Sequence, residues 1–221
     1  MSLIKQNYNV LYINLQNRLD RKLRVEQQLN DLGLKYERFN AIKHENPAIG
    51  CSMSHLKCIE MAKHNKWSNV MILEDDILFL KPSVFSEQLN KFHSCHTTWD
   101  VLLLAGNVVP PYDRIDETCI KVSRCQTTTG YVVKQHYYDR LIYNIKESIL
   151  KLMLNPAKHL QYAIDKHWFS LQKSDLWYLL IPLTVTQAAG YSDIEKNYVN
   201  YTPLMLDLDK KWLFPSNAQF R

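Results

Sequence analysis

The sequence predicts an α/β fold, a mostly parallel twisted sheet flanked by helices, and three observations predict it. Short apolar runs rich in β-formers alternate with stretches of helical periodicity along the first hundred residues. Two runs, residues 70–80 and 99–106, are almost continuously apolar, as strands covered on both faces of a parallel sheet must be. The 221 residues, 46% hydrophobic and 22% charged, suffice for one large domain with a substantial core.

Residues 9–15 (Asn-Val-Leu-Tyr-Ile-Asn-Leu) read as the first strand. A helix follows, with Leu19, Leu23, Leu29 and Leu32 near one face and Gly33 placed to stop it in a left-handed turn. Between strand and helix, Arg18 and Arg21 stand where a phosphate would meet both a helix N-terminus and guanidinium forks; a solvated first helical turn is the competing reading, stronger for Arg18 than for Arg21. Residues 34–39 alternate as a second strand ending at Asn40-Ala41. Gly50 opens a second helix carrying Met53, Leu56 and Ile59, which leads through Trp67 into the run at residues 70–80. Pro82-Ser83 starts another helix, and residues 99–106 form the next buried strand. Beyond Gly106 the pattern loosens, with a turn at Pro110-Pro111 and short strands within 118–123 and 131–133. Residues 134–173 are mainly helical, interrupted at Pro156, and 176–181 is a late strand.

Composition narrows the class. The formal charge is +5, and residues 1–40 hold seven Lys/Arg against four Asp/Glu, which suits an anionic ligand or a solvated helix face. No run approaches the ~18 apolar residues of a membrane span. The opening Met1-Ser2-Leu3-Ile4-Lys5 lacks the apolar segment of a signal peptide, so a cytoplasmic location is expected. Five cysteines, odd in number and without a Cys-x-x-Cys pair, argue against a zinc site and a disulfide framework and for reduced, mostly buried thiols.

The chemistry concentrates in Glu74-Asp75-Asp76, three acids that interrupt the apolar run. Carboxylates at the carboxyl end of a parallel strand stand in the crevice where open α/β sheets bind ligands. Oxygen donors there suit Mg²⁺ or Mn²⁺ beside a diphosphate; the competing reading is a turn whose acids cap the next helix. If strand geometry persists, Glu74 and Asp76 share a side and Asp75 faces away.

The order of Tyr12-Ile13-Asn14-Leu15 with Arg18 and Asp20-Arg21, then Gly50-Cys51 with Ser54-His55-Leu56, then Leu73-Glu74-Asp75-Asp76, resembles glycosyltransferase family 25, which includes lipooligosaccharide sugar transferases and procollagen galactosyltransferases. Thr128-Thr129-Gly130-Tyr131 resembles the family's Thr-x-x-Tyr segment, Ile164-Asp165 its Pro-Val-Asp, and Ser192-Asp193-Ile194 its late Ser-Asp-Ile. Ala163 departs from the pattern, standing where the family often has Pro, and the chain is short for a member.

The resemblance implies a GT-A-like nucleotide-sugar transferase fold, a UDP-sugar donor, Mn²⁺ (or Mg²⁺), and inversion at the anomeric carbon. On it, residues 1–221 form a single glycosyltransferase domain, with a nucleotide-binding part at about 1–106 and an acceptor and catalytic part at about 107–221. Asn14, Leu15, Arg18, Arg21, Asn40, Ala41, Ser54, His55 and Glu74 are expected to bind the donor, and Asp75, Asp76 and Asp193 the metal. Asp165 and Asp193 compete for the role of base that takes the acceptor hydroxyl's proton. Asp165 is favoured, because its apolar and aromatic surroundings would raise a carboxyl's pKa toward working pH. The acceptor implied is a saccharide or a collagen-like hydroxylysine, and the sugar a hexose such as galactose. A silent nucleotide-sugar or glycan-binding module is the reading from a different class. A metal-dependent phosphotransferase or hydrolase is disfavoured, since neither Gly-x-x-x-x-Gly-Lys-Ser/Thr nor a second acidic cluster of comparable strength is present.

Overall fold

The computed structural model describes residues 4–192 and 194–210. In chain order the elements are β1 (Asn9–Asn14), α1 (Leu19–Asp31), β2 (Tyr36–Asn40), α2 (Pro47–His64), β3 (Asn69–Glu74), β4 (Ile77–Phe79), α3 (Pro82–Cys95), β5 (Val101–Leu103), β6 (Asn107–Val108), β7 (Asp113–Arg114), β8 (Cys119–Lys121), β9 (Cys125–Gln126) and β10 (Gly130–Lys134). They continue with α4 (Tyr138–Leu154), α5 (His159–Tyr162), α6 (Ile164–His167), α7 (Phe169–Ser174), β11 (Trp177–Leu180), β12 (Val185–Gln187), β13 (Gly190–Ser192), β14 (Asn197–Val199) and α8 (Thr202–Met205).

Eight strands form the main sheet in the order β2-β1-β3-β10-β5-β11-β8-β7. β1 pairs parallel with β2 and β3, and β5 with β11, whereas β10 runs against both β3 and β5, and β8 against both β11 and β7. Six strands therefore point one way and two the other, a mostly parallel α/β sheet as expected. Alternation along β3 divides the core: Val70 and Ile72 pack with α2 and α4, Met71 and Leu73 with α1 and α3. The sheet is thus covered on both faces, which is why its central strands read as unbroken apolar runs.

Two helices differ from their sequence reading. Leu19 and Leu23 are 59% and 61% exposed, while α1 buries Val25 and Leu29, and the cap residue Leu32 just after it is buried too, at spacings of four and three. Leu23 precedes Leu29 by about one and two-thirds turns and so faces away from it. The second helix begins at Pro47 rather than Gly50, because the Asn46 side chain accepts from the amides of Ala48 (3.0 Å) and Ile49 (3.4 Å) and Pro47 fills the first helical position. Gly50 instead admits close packing: a Cβ there would lie 2.6 Å from the Ile42 carbonyl oxygen. Asn46→Ala is expected to cost about 1 kcal/mol of stability, read as a shift in denaturant midpoint at constant slope.

Below the sheet on the α2/α4 side, the fully buried Trp168 packs edge-on against Trp177 (ring centroids 5.1 Å apart) and Tyr131 (5.8 Å), and its Nε1–H donates to the Cys125 carbonyl at 3.0 Å. Trp168→Ala should remove about 3–5 kcal/mol in a denaturant titration, since the cavity is walled by strands that cannot close on it. All five cysteines are free, and among the described residues no helix is long and apolar enough to cross a membrane.

Candidate active site

The strand carrying the three acids stops at Glu74, and Asp75-Asp76 form a turn before β4 leaves the main sheet to pair with β12. Alternation holds from Glu74 to Asp75 and fails at Asp76, so the expectation that Glu74 and Asp76 share a side is corrected. The turn aims both aspartates at Arg21, while Glu74 points to the opposite side of the sheet.

Glu74 is the hub of the α2 side. Its Oε1 accepts from the Thr128 hydroxyl at 2.8 Å and lies 3.3 Å from His55 Nε2 and 3.7 Å from Cys51 Sγ. Cys51 and His55, four residues apart, share one face of α2. The other ring nitrogen of His55 is 2.8 Å from the Tyr131 hydroxyl, and the two rings stack. Burial pulls the Glu74 carboxyl upward, but the His55, Thr128 and Cys51 contacts outweigh it and leave the pKa lowered, so the carboxylate stays charged. Thr128 reaches Glu74 because β10 begins beside the end of β3, with Gly130 opposite Leu73 and the Glu74 amide donating to the Thr129 carbonyl at 2.9 Å.

On the α1 side, one Arg21 nitrogen (Nη1) donates to Asp75 at 3.1 Å and to Asp76 at 2.9 Å, and the other (Nη2) donates to the Tyr191 carbonyl at 3.1 Å. Asp75 also accepts from the Asn14 amide at 2.7 Å, and Asp76 from the Gln187 amide at 2.9 Å. Asp76 Oδ1 is buried without a hydrogen-bond partner. Burial raises both carboxyls against the pull of Arg21, and with the added charge of Glu74 it pushes Asp76 up to about 7.

Asp165 heads the short helix α6, half-buried, with Oδ2 accepting from the Thr127 amide at 3.1 Å. Burial raises its pKa and the charge of Glu74 adds to the rise, placing Asp165 within electrostatic reach of the Glu74 hub. Thr127 holds φ at 75°, a left-handed value rare for a β-branched residue, and so aims its amide at Asp165 while the next residue serves Glu74.

The remaining expected residues are spread along the same strand ends. Asn14 is buried and central: its amide also donates to the Arg18 carbonyl (3.0 Å) and its oxygen accepts from Arg38 (2.9 Å). Leu15 accepts from the Arg18 amide, Ala41 donates to the Asn14 carbonyl, and Asn40 accepts from Arg38. Arg18 forks onto Asp20, away from Asp75 and Asp76. Ser54 is buried, its hydroxyl donating to the Gly50 carbonyl and accepting from the Ile42 amide, so it fastens the loop after β2 to α2. Asp193 lies outside the described residues. Arg38, Cys51, Thr128 and Gln187 join the cluster as side chains without having been expected to bind there, although Cys51 and Thr128 both stand in segments that carry the family resemblance, Gly50-Cys51 and Thr128-Thr129-Gly130-Tyr131.

A Mn²⁺ or Mg²⁺ ion, implied by the family resemblance, fits this donor set. Two aspartates face one guanidinium, leaving an excess negative charge, and Asp76 Oδ1 is a buried oxygen with nothing to accept.

Both clusters gather at the carboxyl ends of β1 and β3, where open α/β sheets bind ligands. The model of glycosyltransferase family 25 (LPS biosynthesis protein) matches residues 45–168, more than half of the chain and all of the Cys51, His55, Glu74–Asp76, Thr128 and Asp165 assembly. The chain belongs to this family and is a glycosyltransferase. Among solved structures it is similar to the mannose-1-phosphate geranyltransferase from Thermus thermophilus (9% identity, 78% of this chain and 73% of that one, TM-score 0.45). It is also similar to a UDP-glucose pyrophosphorylase complexed with UDP-glucose (10%, 78% and 72%, 0.44) and a glycosyltransferase involved in the glycosylation of the major capsid of PBCV-1 (10%, 80% and 93%, 0.40). These overlaps are loose. No curated protein sequence matches the chain.

Proposed function

We propose that the chain transfers a hexose, galactose in the first instance, from a UDP-sugar to a saccharide acceptor of the lipopolysaccharide type, with inversion and with a divalent cation. Family membership supports sugar transfer, and the description of that family as LPS biosynthesis favours a saccharide over hydroxylysine. The observation that carries the cation-dependent reading is the partnerless, buried Asp76 Oδ1 beside the Arg21 bridge. Asp75 and Asp76 would hold Mn²⁺, which when bound supplies positive charge to the departing diphosphate. Arg21, already on the same carboxylates, is the chain's own cation for the phosphates. Glu74 stays ionised and fixes His55 and Thr128 on the α2 side of the strand end, across from Asp75 and Asp76. Asp165, raised by burial and within the field of Glu74, is the carboxylate to take the acceptor proton.

UDP with Mn²⁺ should stabilise the folded chain, by roughly 2.7 kcal/mol at a hundredfold excess over Kd, and a melting scan reads it. UDP release across a panel of UDP-sugars and saccharide acceptors tests the transfer itself. Binding without release in every combination would favour the silent module, and no melting shift from a folded sample would remove the donor class.

A further inference from the structure

On the opposite face of the sheet from Glu74, the end of α3 and the loop entering β8 converge on one ring nitrogen. His96, just after α3, has Nε2 2.7 Å from Asp116 Oδ2, 3.4 Å from the Thr118 hydroxyl and 3.6 Å from Cys119 Sγ. The Thr118 hydroxyl is accounted for by its bond to Asp116 Oδ1 at 2.7 Å, which leaves an imidazole nitrogen, a carboxylate oxygen and a thiol sulfur converging on one point. The imidazole nitrogen, carboxylate oxygen and thiol sulfur lie within 4.8 Å of one another. Ligands held about 2.0–2.3 Å from a tetrahedral ion are separated from each other by about 3.3–3.7 Å, so only a small adjustment is needed around a shared centre.

We infer that His96, Asp116 and Cys119 form a zinc site that clips the end of α3 to the loop entering β8. Nitrogen, sulfur and carboxylate together suit Zn²⁺ rather than the hard ion favoured by Asp75 and Asp76. The surroundings fix each donor. Asp116 Oδ1 is held by the Thr118 amide and hydroxyl (both 2.7 Å) and the Cys119 amide (3.2 Å), which turns Oδ2 toward His96. The His96 ring packs against those of Phe92 (centroids 4.7 Å apart) and Tyr178 (6.0 Å), which also touch each other. Cys119 is wholly buried, so the fourth position, for water or the Thr118 hydroxyl, lies on the side of His96 and Asp116. The scattered spacing, 20 residues from His96 to Asp116 and three more to Cys119, is why no zinc signature stands out along the chain.

The test uses the full chain, freed of metal by chelation and titrated with Co²⁺, followed by Zn²⁺ competition. One equivalent should bind with a thiolate-to-cobalt charge-transfer band and tetrahedral visible bands, all erased by Zn²⁺. Cys119→Ser and His96→Gln should lose the band while near-ultraviolet circular dichroism reports an intact fold, and Cys51→Ser should keep it. If Cys119→Ser does not fold, His96→Gln and Asp116→Asn, whose side chains are more accessible, decide in its place. A folded wild-type chain without the band overturns the inference. So does a band that survives His96→Gln and disappears in Cys51→Ser, which would put the ion on Cys51, His55 and Glu74 instead.

Discussion

Asp76→Asn is expected to lower kcat for sugar transfer by about a hundredfold to a thousandfold, and Asp75→Asn to fall nearly as far. Both effects come from the turn at Asp75, which sends the two side chains to the same guanidinium, 3.1 and 2.9 Å from a single Arg21 nitrogen. Replacing either carboxylate by an amide removes the charge that makes the pair attractive to a cation. At Asp76 it also takes away the only buried carboxylate oxygen of the two without a partner. Arg21 would then be balanced by one aspartate rather than two, and Mn²⁺ affinity should drop with turnover. Calorimetric titration with Mn²⁺ and single-turnover assays on the two variants check this. An inactive Asp76→Asn beside a nearly normal Asp75→Asn would mean that only one aspartate serves the cation; two active variants would take the stretch out of the chemistry altogether.

Asp165→Asn should lose about a hundredfold to ten-thousandfold in kcat while the apparent affinity for UDP stays put. The variant keeps the bond to the Thr127 amide through its side-chain oxygen, so the loop bearing Thr128 need not move. The base works only when deprotonated, and burial together with Glu74 raises its pKa. The wild-type rate should therefore climb with pH along a limb lying above the ordinary carboxylate range, and that limb should be absent from Asp165→Asn. A wild-type rate in the variant would move the base elsewhere, with Asp193 next to be replaced. A raised KM for the donor with unchanged kcat would make Asp165 a binding residue.

How far the sequence carries these assignments depends on whether the signal is local. The strand at 70–74 and the acids that end it are legible because burial on two faces demands a continuous apolar run, and charge within one stands out. The fate of Asp76 is not, because whether a strand persists one residue further is settled by β4 turning away to pair with β12, a partner more than a hundred residues along. The helix at 47–64 shows in its apolar spacing, yet its start does not, since the Asn46 cap and Pro47 lie outside that spacing. Leu19 and Leu23 look inward by composition, whereas the phase of Val25, Leu29 and Leu32 fixes the inner face elsewhere. Gln187 enters the cluster only through the pairing of β12 with β4, for which its own neighbourhood holds no cue, whereas the segment bearing Thr128 is legible only through the family resemblance.

β10 occupies the gap between β3 and β5 while running against both. A chain released from synthesis or trimmed by a protease at residue 106 would contain the strand with the acids but not its neighbour. The backbone groups of residues 70–73 that face β10 would be bare along one side, on some of the most apolar sequence in the protein. Such an edge invites pairing between copies. The first half should therefore not stand alone: it should precipitate unless residues 130–134 are supplied, in the same chain or as a separate peptide.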